Sequence, residues 1–383
     1  MNWPITSDVG PGLSGVIACE TEINWVDPSS SGLSYRGHSL SELVDDMTFE
    51  EVAFLLIEGD FPVNLPHEYE AFISGISRAR ILPPQVKDLL LSLPATTHPT
   101  RLLRAGISAV GCFEMKEKSK LTANHDWQDI RLIGQIAELV ALIAYHRYGK
   151  IEQSNVKNGS IANLILTALN KEPPAEEHEK LLNMVWIAYA DHGLDAPTFT
   201  SMVVGSCQAD PYYNIVAGLS ALRGPYLGGA GERLLIQINK LRDPSVARSW
   251  TKGMLKRGWR IPGFGHRLYQ DADPRVELLK PEAEKLAHQT DNELLFYVAK
   301  AIEEEASSIL NTKGIAININ FYASLIFHML GSDPQMIPCM FAIGRMAGLT
   351  ARLREYLSNS RIFRPLEQYT GPTSRTYTPL DQR

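Results

Sequence analysis

The stretch Arg260-Ile-Pro-Gly-Phe-Gly-His-Arg-Leu-Tyr-Gln-Asp-Ala-Asp-Pro-Arg275 places Pro262, Gly263 and Gly265 within four residues. Proline fixes its own backbone, and glycine adopts angles closed to other residues, so Phe264 and His266 sit on a tight turn that a ligand can approach closely. Asp273-Pro274 then marks the start of a helix with proline at its first position. Such a loop presents His266 and Arg275 toward one cleft. Histidine polarises a carbonyl or moves a proton, and arginine grips a carboxylate through two parallel hydrogen bonds. A lone histidine here would read as a surface group in a structural loop, so the case for chemistry rests on what surrounds it.

Outward from this loop the signals are helical. Ser39 with Glu42 and Thr48 with Glu51 have the spacing of capping boxes, each opening a helix. Val52, Leu55 and Leu56 follow at helical spacing, and Glu58-Gly-Asp-Phe-Pro62 ends that run. Further helices are predicted around 67–80, 84–92, 99–112, 127–148, 158–170 and 176–190. Residues 1–37, rich in Gly, Ser and Pro, predict a small hairpin or an extended arm closed by Tyr35-Arg36-Gly37. After Asp210 shorter helices (212–222, 230–241, 245–256, 274–288, 292–311) lie between Gly/Pro turns, and helices return at 318–330 and 336–358. Strand-like alternation is almost absent, so the fold class is all-α. The change of character predicts a large helical domain from 1–210 and 315–383, with a smaller helical domain, 211–314, inserted in it. The tail from Arg361 to Arg383, rich in Pro, Thr and Tyr, reads as extended.

Composition excludes several classes. The chain has 383 residues, 44% apolar and 21% charged, enough for one large core or two unequal ones. The net charge of −6 and the lack of any Lys/Arg run argue against nucleic acid as a partner. Cys19, Cys112, Cys207 and Cys339 are far apart, show no metal-ligand spacing, and read as reduced thiols of a cytoplasmic protein. No metal site is expected. The first residues show no signal peptide, and the apolar run Ile130 to Tyr145, broken by Arg131, Gln135 and Glu138, reads as a buried helix rather than a membrane span.

Four more strings carry polar groups in glycine-rich or helix-end settings. They are Asp191-His-Gly-Leu-Asp-Ala-Pro-Thr-Phe-Thr200, Arg223-Gly-Pro-Tyr-Leu-Gly-Gly-Ala-Gly-Glu232, Gly314-Ile-Ala-Ile-Asn-Ile-Asn-Phe-Tyr322, and Gly344-Arg-Met-Ala-Gly-Leu349 with Arg361-Ile-Phe-Arg-Pro-Leu-Glu-Gln-Tyr-Thr-Gly371. Together with Gly263-Phe-Gly-His266 and Asp273-Pro-Arg275, they resemble the citrate synthase family along essentially the whole chain. That family is almost wholly helical and dimeric, and joins an acyl-CoA, as a carbon nucleophile, to a 2-oxo acid.

The resemblance implies roles for particular residues. His192 and His266 would hydrogen-bond the keto acid, and Arg275 and Arg345 would grip its carboxylates. Arg364 would reach the site of the neighbouring subunit. Arg257, Ile261, Gly263, Phe264 and Arg267 would hold coenzyme A, the thioester being a substrate and no cofactor being needed. Gln270 stands where many members have a basic residue. Two of the three family catalytic positions are substituted. Leu227 replaces a histidine and Asn320 replaces the aspartate that acts as base, leaving His266 of the three. Asp195 and Pro197 replace the usual Asn and Ser, and Gly231 replaces an Asn.

Three functions are compatible with that pattern. The first is condensation of acetyl-CoA or propionyl-CoA with a 2-oxo dicarboxylate such as oxaloacetate. The second is a non-catalytic dicarboxylate-binding paralogue, acting as a homodimer or as the partner of an active subunit in a mixed dimer. The third is a lyase or thioesterase acting on a citryl-CoA-like substrate.

Overall fold

The computed structural model describes residues 11–13, 15–27, 32–113, 128–149, 159–170, 172–269 and 271–382. Gln270, the first ten residues, 28–31 and the predicted starts of the helices at 127 and 158 lie outside the described residues.

The architecture is all-α, with one small antiparallel sheet among the described residues. Its strands β1 (Asn24–Val26), β2 (Leu33–Tyr35) and β3 (His38–Ser39) run in order, with Trp25 opposite Ser34 and Tyr35 opposite His38. The hairpin predicted for the arm is therefore present within it. Arg36 at φ 49° and Gly37 at φ 88° make the turn from β2 to β3.

The helices that follow are α1 (Leu40–Asp46), α2 (Phe49–Glu58), α3 (Pro66–Ala79), α4 (Pro84–Ser92), α5 (Pro99–Phe113) and α6 (Gln128–Arg147). Next come α7 (Ile161–Asn170), α8 (Glu176–Tyr189), α9 (Ala196–Gly205), α10 (Pro211–Leu222), α11 (Gly228–Leu241) and α12 (Pro244–Lys256). The last are α13 (Pro274–Gln289), α14 (Glu293–Leu310), α15 (Asn320–Met329) and α16 (Ile337–Leu357). Both predicted capping boxes form, with Ser39 and Glu42 at α1 and Thr48 and Glu51 at α2 exchanging hydrogen bonds reciprocally. A cap of this kind is worth about 1 kcal/mol. Aspartates cap α9, α10, α12 and α13, each with a proline in the first turn. Helix α9 departs from the sequence reading, which places no helix between 190 and 211: Asp195 caps it and Pro197 fits its unpaired first turn.

Helix α16 is the axis of the molecule. It is apolar on every side, the pattern of a helix surrounded by others rather than facing water. Every residue from Ile337 to Leu353 is buried, and α2, α6, α8, α9, α10 and α11 pack around it. Gly344 lies against Trp186 of α8, and Gly348 lies against Ala190 and Asp191 at the end of α8, where any side chain would collide. The Gly348 N–H donates to the Ala190 carbonyl at 3.1 Å. This close crossing seats Arg345 and Arg352 of α16 beside the Asp191-His192 end of α8.

Helices α11, α12, α13 and α14 pack on one another and on α15. Helix α10 packs instead on α9, α5 and α16. No helix among the described residues is long and apolar enough to cross a membrane.

Candidate active site

The 260–275 loop is strapped to the chain before α15. Gly265 donates to the Ala316 carbonyl at 2.7 Å, Asn318 N–H donates to the Gly263 carbonyl at 2.9 Å, and Asn318 Nδ2 donates to the Gly265 carbonyl at 2.8 Å. Gly263 (φ 83°) and Gly265 (φ 92°) both adopt the left-handed backbone that glycine tolerates, and a Cβ on Gly263 would come within 2.8 Å of the Phe321 ring. Asp273 then caps α13 and fixes Arg275. The guanidinium donates from Nε and Nη2 to the two Asp273 oxygens, both at 2.8 Å. Burial alone would lower the Arg275 pKa, but the Asp273 carboxylate more than offsets this and raises it.

The loop brings His266 to His192. Their rings meet edge to face at 4.8 Å, and Tyr269 stacks on His266 at 4.7 Å. The Tyr269 hydroxyl lies 3.1 Å from His192 Nε2. His266 Nδ1 accepts the backbone N–H groups of Leu268 and Tyr269, both at 3.1 Å. The proton of the neutral ring is thereby assigned to Nε2, 3.5 Å from Arg275 Nη2. Two donors so close together are arranged to flank one oxygen that gains negative charge. Both rings are kept neutral. Burial, and then the Arg275 charge, lower the His266 pKa to about 4. Burial, followed by Arg275, His266 and Arg345, lowers that of His192 well below the ordinary value.

Arg345 is buried beneath this pair, with its guanidinium 4.6 Å over the Tyr189 ring. Its Nη1 lies 3.2 Å from Asp195 Oδ2. Burial opposes the charge, but Asp195 and then Tyr189 outweigh it, and the pKa is raised. Two turns of α16 further on, Arg352 donates to Asp191 at 2.8 and 3.3 Å. Tyr35, at the end of the central strand β2, bonds through its hydroxyl to the backbone of Ile187 and Asp191. Arg364 is not among these groups: it is exposed on the extended segment after α16.

The two substituted positions both lie at helix starts. Leu227 occupies the N-cap position of α11 and makes no side-chain cap. Asn320 opens α15, its N–H donating to Asn318 Oδ1 at 3.1 Å, while its own Oδ1 is buried without a hydrogen-bond partner. Gly231 of α11 faces Ser324 of α15 so closely that a Cβ would collide with the hydroxyl, which itself donates to the Asn320 carbonyl at 2.5 Å. Glu232 is held by His98 at 3.2 Å and Arg223 at 3.3 Å.

Of the residues assigned to coenzyme A by resemblance, Ile261 and Gly263 are buried, Phe264 is half-buried against Phe321, and Arg257 and Arg267 are exposed. Arg257 lies 5.6 Å over the Trp259 ring, and Arg260 lies 5.2 Å over Tyr226 of the 223–227 turn. The exposed guanidiniums of Arg257, Arg260 and Arg267 give the loop a basic rim.

Sequence reasoning missed Tyr269, Asp191, Arg352 and the pairing of Asp195 with Arg345. Tyr269 lies inside the loop string and could have been flagged there. The other pairings span over 140 residues and have no local signature.

The sequence pattern of the family described as citrate synthase, C-terminal domain, matches residues 12–366. The chain belongs to the citrate synthase family. Citrate synthase of Acidithiobacillus ferridurans is 32% identical over 380 residues, covering 97% of this chain and 98% of that protein. 2-Methylcitrate synthase of Shewanella oneidensis is also 32% identical over 380 residues, covering 98% of each chain. Among solved structures, Thermoplasma acidophilum citrate synthase, in ternary complex with carboxymethyl coenzyme A and oxaloacetate, superposes with a TM-score of 0.90 at 26% identity. That match covers 99% of this chain and 100% of that one. The citrate synthase fold thus extends over the whole molecule.

Proposed function

We propose that this protein binds a 2-oxo acid between His192, His266, Arg275 and Arg345 and condenses it with an acyl-CoA, acetyl-CoA or propionyl-CoA, held along the 257–267 loop. The acceptor implied by the resemblance is a dicarboxylate such as oxaloacetate. The carrying observation is the convergence of His266 Nε2 and Arg275 Nη2 at 3.5 Å, which supports polarisation of the keto oxygen while an arginine holds a carboxylate. Arg364 of a neighbouring subunit would complete the clamp. We place the smaller domain from about 223 to 314, since α10 packs with the larger body.

Removing a proton from a thioester α-carbon needs a base and a donor for the developing enolate oxygen. Asn320 cannot accept that proton near neutral pH, and Leu227 cannot donate. Losing such a group typically lowers turnover by about two to three orders of magnitude, and losses within one unit do not add. An acyl-CoA with a more acidic α-carbon would need less of that help.

A second reading, a binding subunit that completes the site of an active paralogue, is favoured by the retention of Arg364 while Leu227 and Asn320 stand at the proton-transfer positions. The deciding experiment measures loss of thioester from acetyl-CoA and propionyl-CoA against a panel of 2-oxo acids, with binding followed in parallel. Condensation supports the first reading. Binding without turnover supports the second, and neither binding nor turnover sinks both.

A further inference from the structure

The buried cations of the site are already matched by carboxylates of this chain. Arg275 pairs with Asp273, Arg345 with Asp195, and Arg352 with Asp191. With His192 and His266 neutral, these three guanidiniums and three carboxylates cancel. Asp273 and Asp191 hold their arginines through paired hydrogen bonds. Asp195 differs. It lies 3.2 Å from Arg345 Nη1, yet Nε and Nη1 of Arg345 are both buried without a hydrogen-bond partner. Asp195 thus supplies Arg345 with a counter-charge and leaves its directional donors open. Its Oδ1 is engaged elsewhere, accepting the Thr198 N–H at 3.0 Å as the cap of α9, which anchors the side chain beside Arg345.

We infer that Asp195 is a specificity-determining residue that stands in for one substrate carboxylate at Arg345, so that the site selects a 2-oxo acid carrying a single carboxylate over a 2-oxo dicarboxylate. This rests on the proposed function and narrows its acceptor. A dianion entering the cluster meets the fixed carboxylate of Asp195 and finds only Arg364 of a neighbouring subunit uncompensated, one cation for two charges, and like charges brought together in a water-poor site are strongly disfavoured. An acceptor with one carboxylate and an apolar far end leaves the Asp195–Arg345 pair in place, with the open Arg345 donors available to an uncharged oxygen.

Oxaloacetate and 2-oxobutyrate test this as a matched pair, because they have the same four-carbon length and differ by carboxylate against methyl at the far end. Binding of each to the full-length protein is measured by calorimetry for wild type, Asp195→Asn and Asp195→Ser. Both substitutions keep a side-chain cap on α9, so loss of folding does not confound the comparison. Wild type should bind 2-oxobutyrate at least as tightly as oxaloacetate, and both variants should shift the affinity ratio toward oxaloacetate by about tenfold or more. A ratio that is unchanged, or that shifts toward 2-oxobutyrate, overturns the role of Asp195 while leaving the 2-oxo acid site intact. Absence of binding of either acid to all three proteins overturns the site itself.

Discussion

His266 and His192 sit where protonation is opposed by burial and by neighbouring cations. Their folded pKa values lie below the unfolded ones, so as pH falls the unfolded chain takes up protons first. Their contribution is complete above about 6.5 and is lost as pH drops toward about 4. Denaturant unfolding at pH 7 and pH 5 should show this decline, and His266→Gln should make it shallower; an equally steep decline in the variant would remove His266 as a source. The same neutrality keeps His266 Nε2–H a donor throughout the neutral range. The kinds of residue at the site were legible because the motif strings hold them in short, glycine-marked turns. Their counter-ions were not. Asp195 reads in sequence as a substituted loop residue, and only the crossing of α16 over α8 and α9 shows that it faces Arg345. Tyr269 was overlooked because an aromatic in a loop has many ordinary explanations.

At the scale of elements, glycine separates tight crossings from open faces. A methyl group at Gly348 would collide with the Ala190 carbonyl and the Asp191 side chain, so Gly348→Ala should cost about 1–3 kcal/mol and weaken ligand binding through the shifted end of α8. Gly253 in α12 has nothing within 4 Å of a built Cβ, so Gly253→Ala should stabilise by about 0.5–1 kcal/mol through helix propensity alone. Denaturant midpoints of the two variants check both signs, and a tolerated Gly348→Ala would contradict the described crossing. Most helices were readable from caps and periodicity, with ends displaced by a few residues. Helix α9 was not, because its Asp-x-Pro start lies inside a string already read as site loop. The three short strands give too brief an alternation to be assigned by pattern.

For the whole molecule, the exposed position of Arg364 on the segment after α16 motivates a shared site. Light scattering should then report a dimer, and Arg364→Ala should weaken 2-oxo acid binding without changing that state. In a mixed dimer with an active paralogue, the same substitution should lower the partner's turnover; an unaffected partner would exclude the sharing. The sequence reading divides the chain after Asp210 on the Gly/Pro turns that separate its helices there. That reading groups α10 with the helices after it, whereas α10 packs on α9, α5 and α16.

The central claim is that the acceptor half of the site is kept while the proton-abstracting half is lost. Acetyl-CoA condensation by wild type and by Leu227→His/Asn320→Asp, measured side by side with a 2-oxo acid that binds both, tests it directly. The account predicts weak or undetectable turnover by wild type and a rise of about two orders of magnitude or more in the double variant. Robust turnover by the unmodified protein, with no gain on restoring the pair, would contradict it.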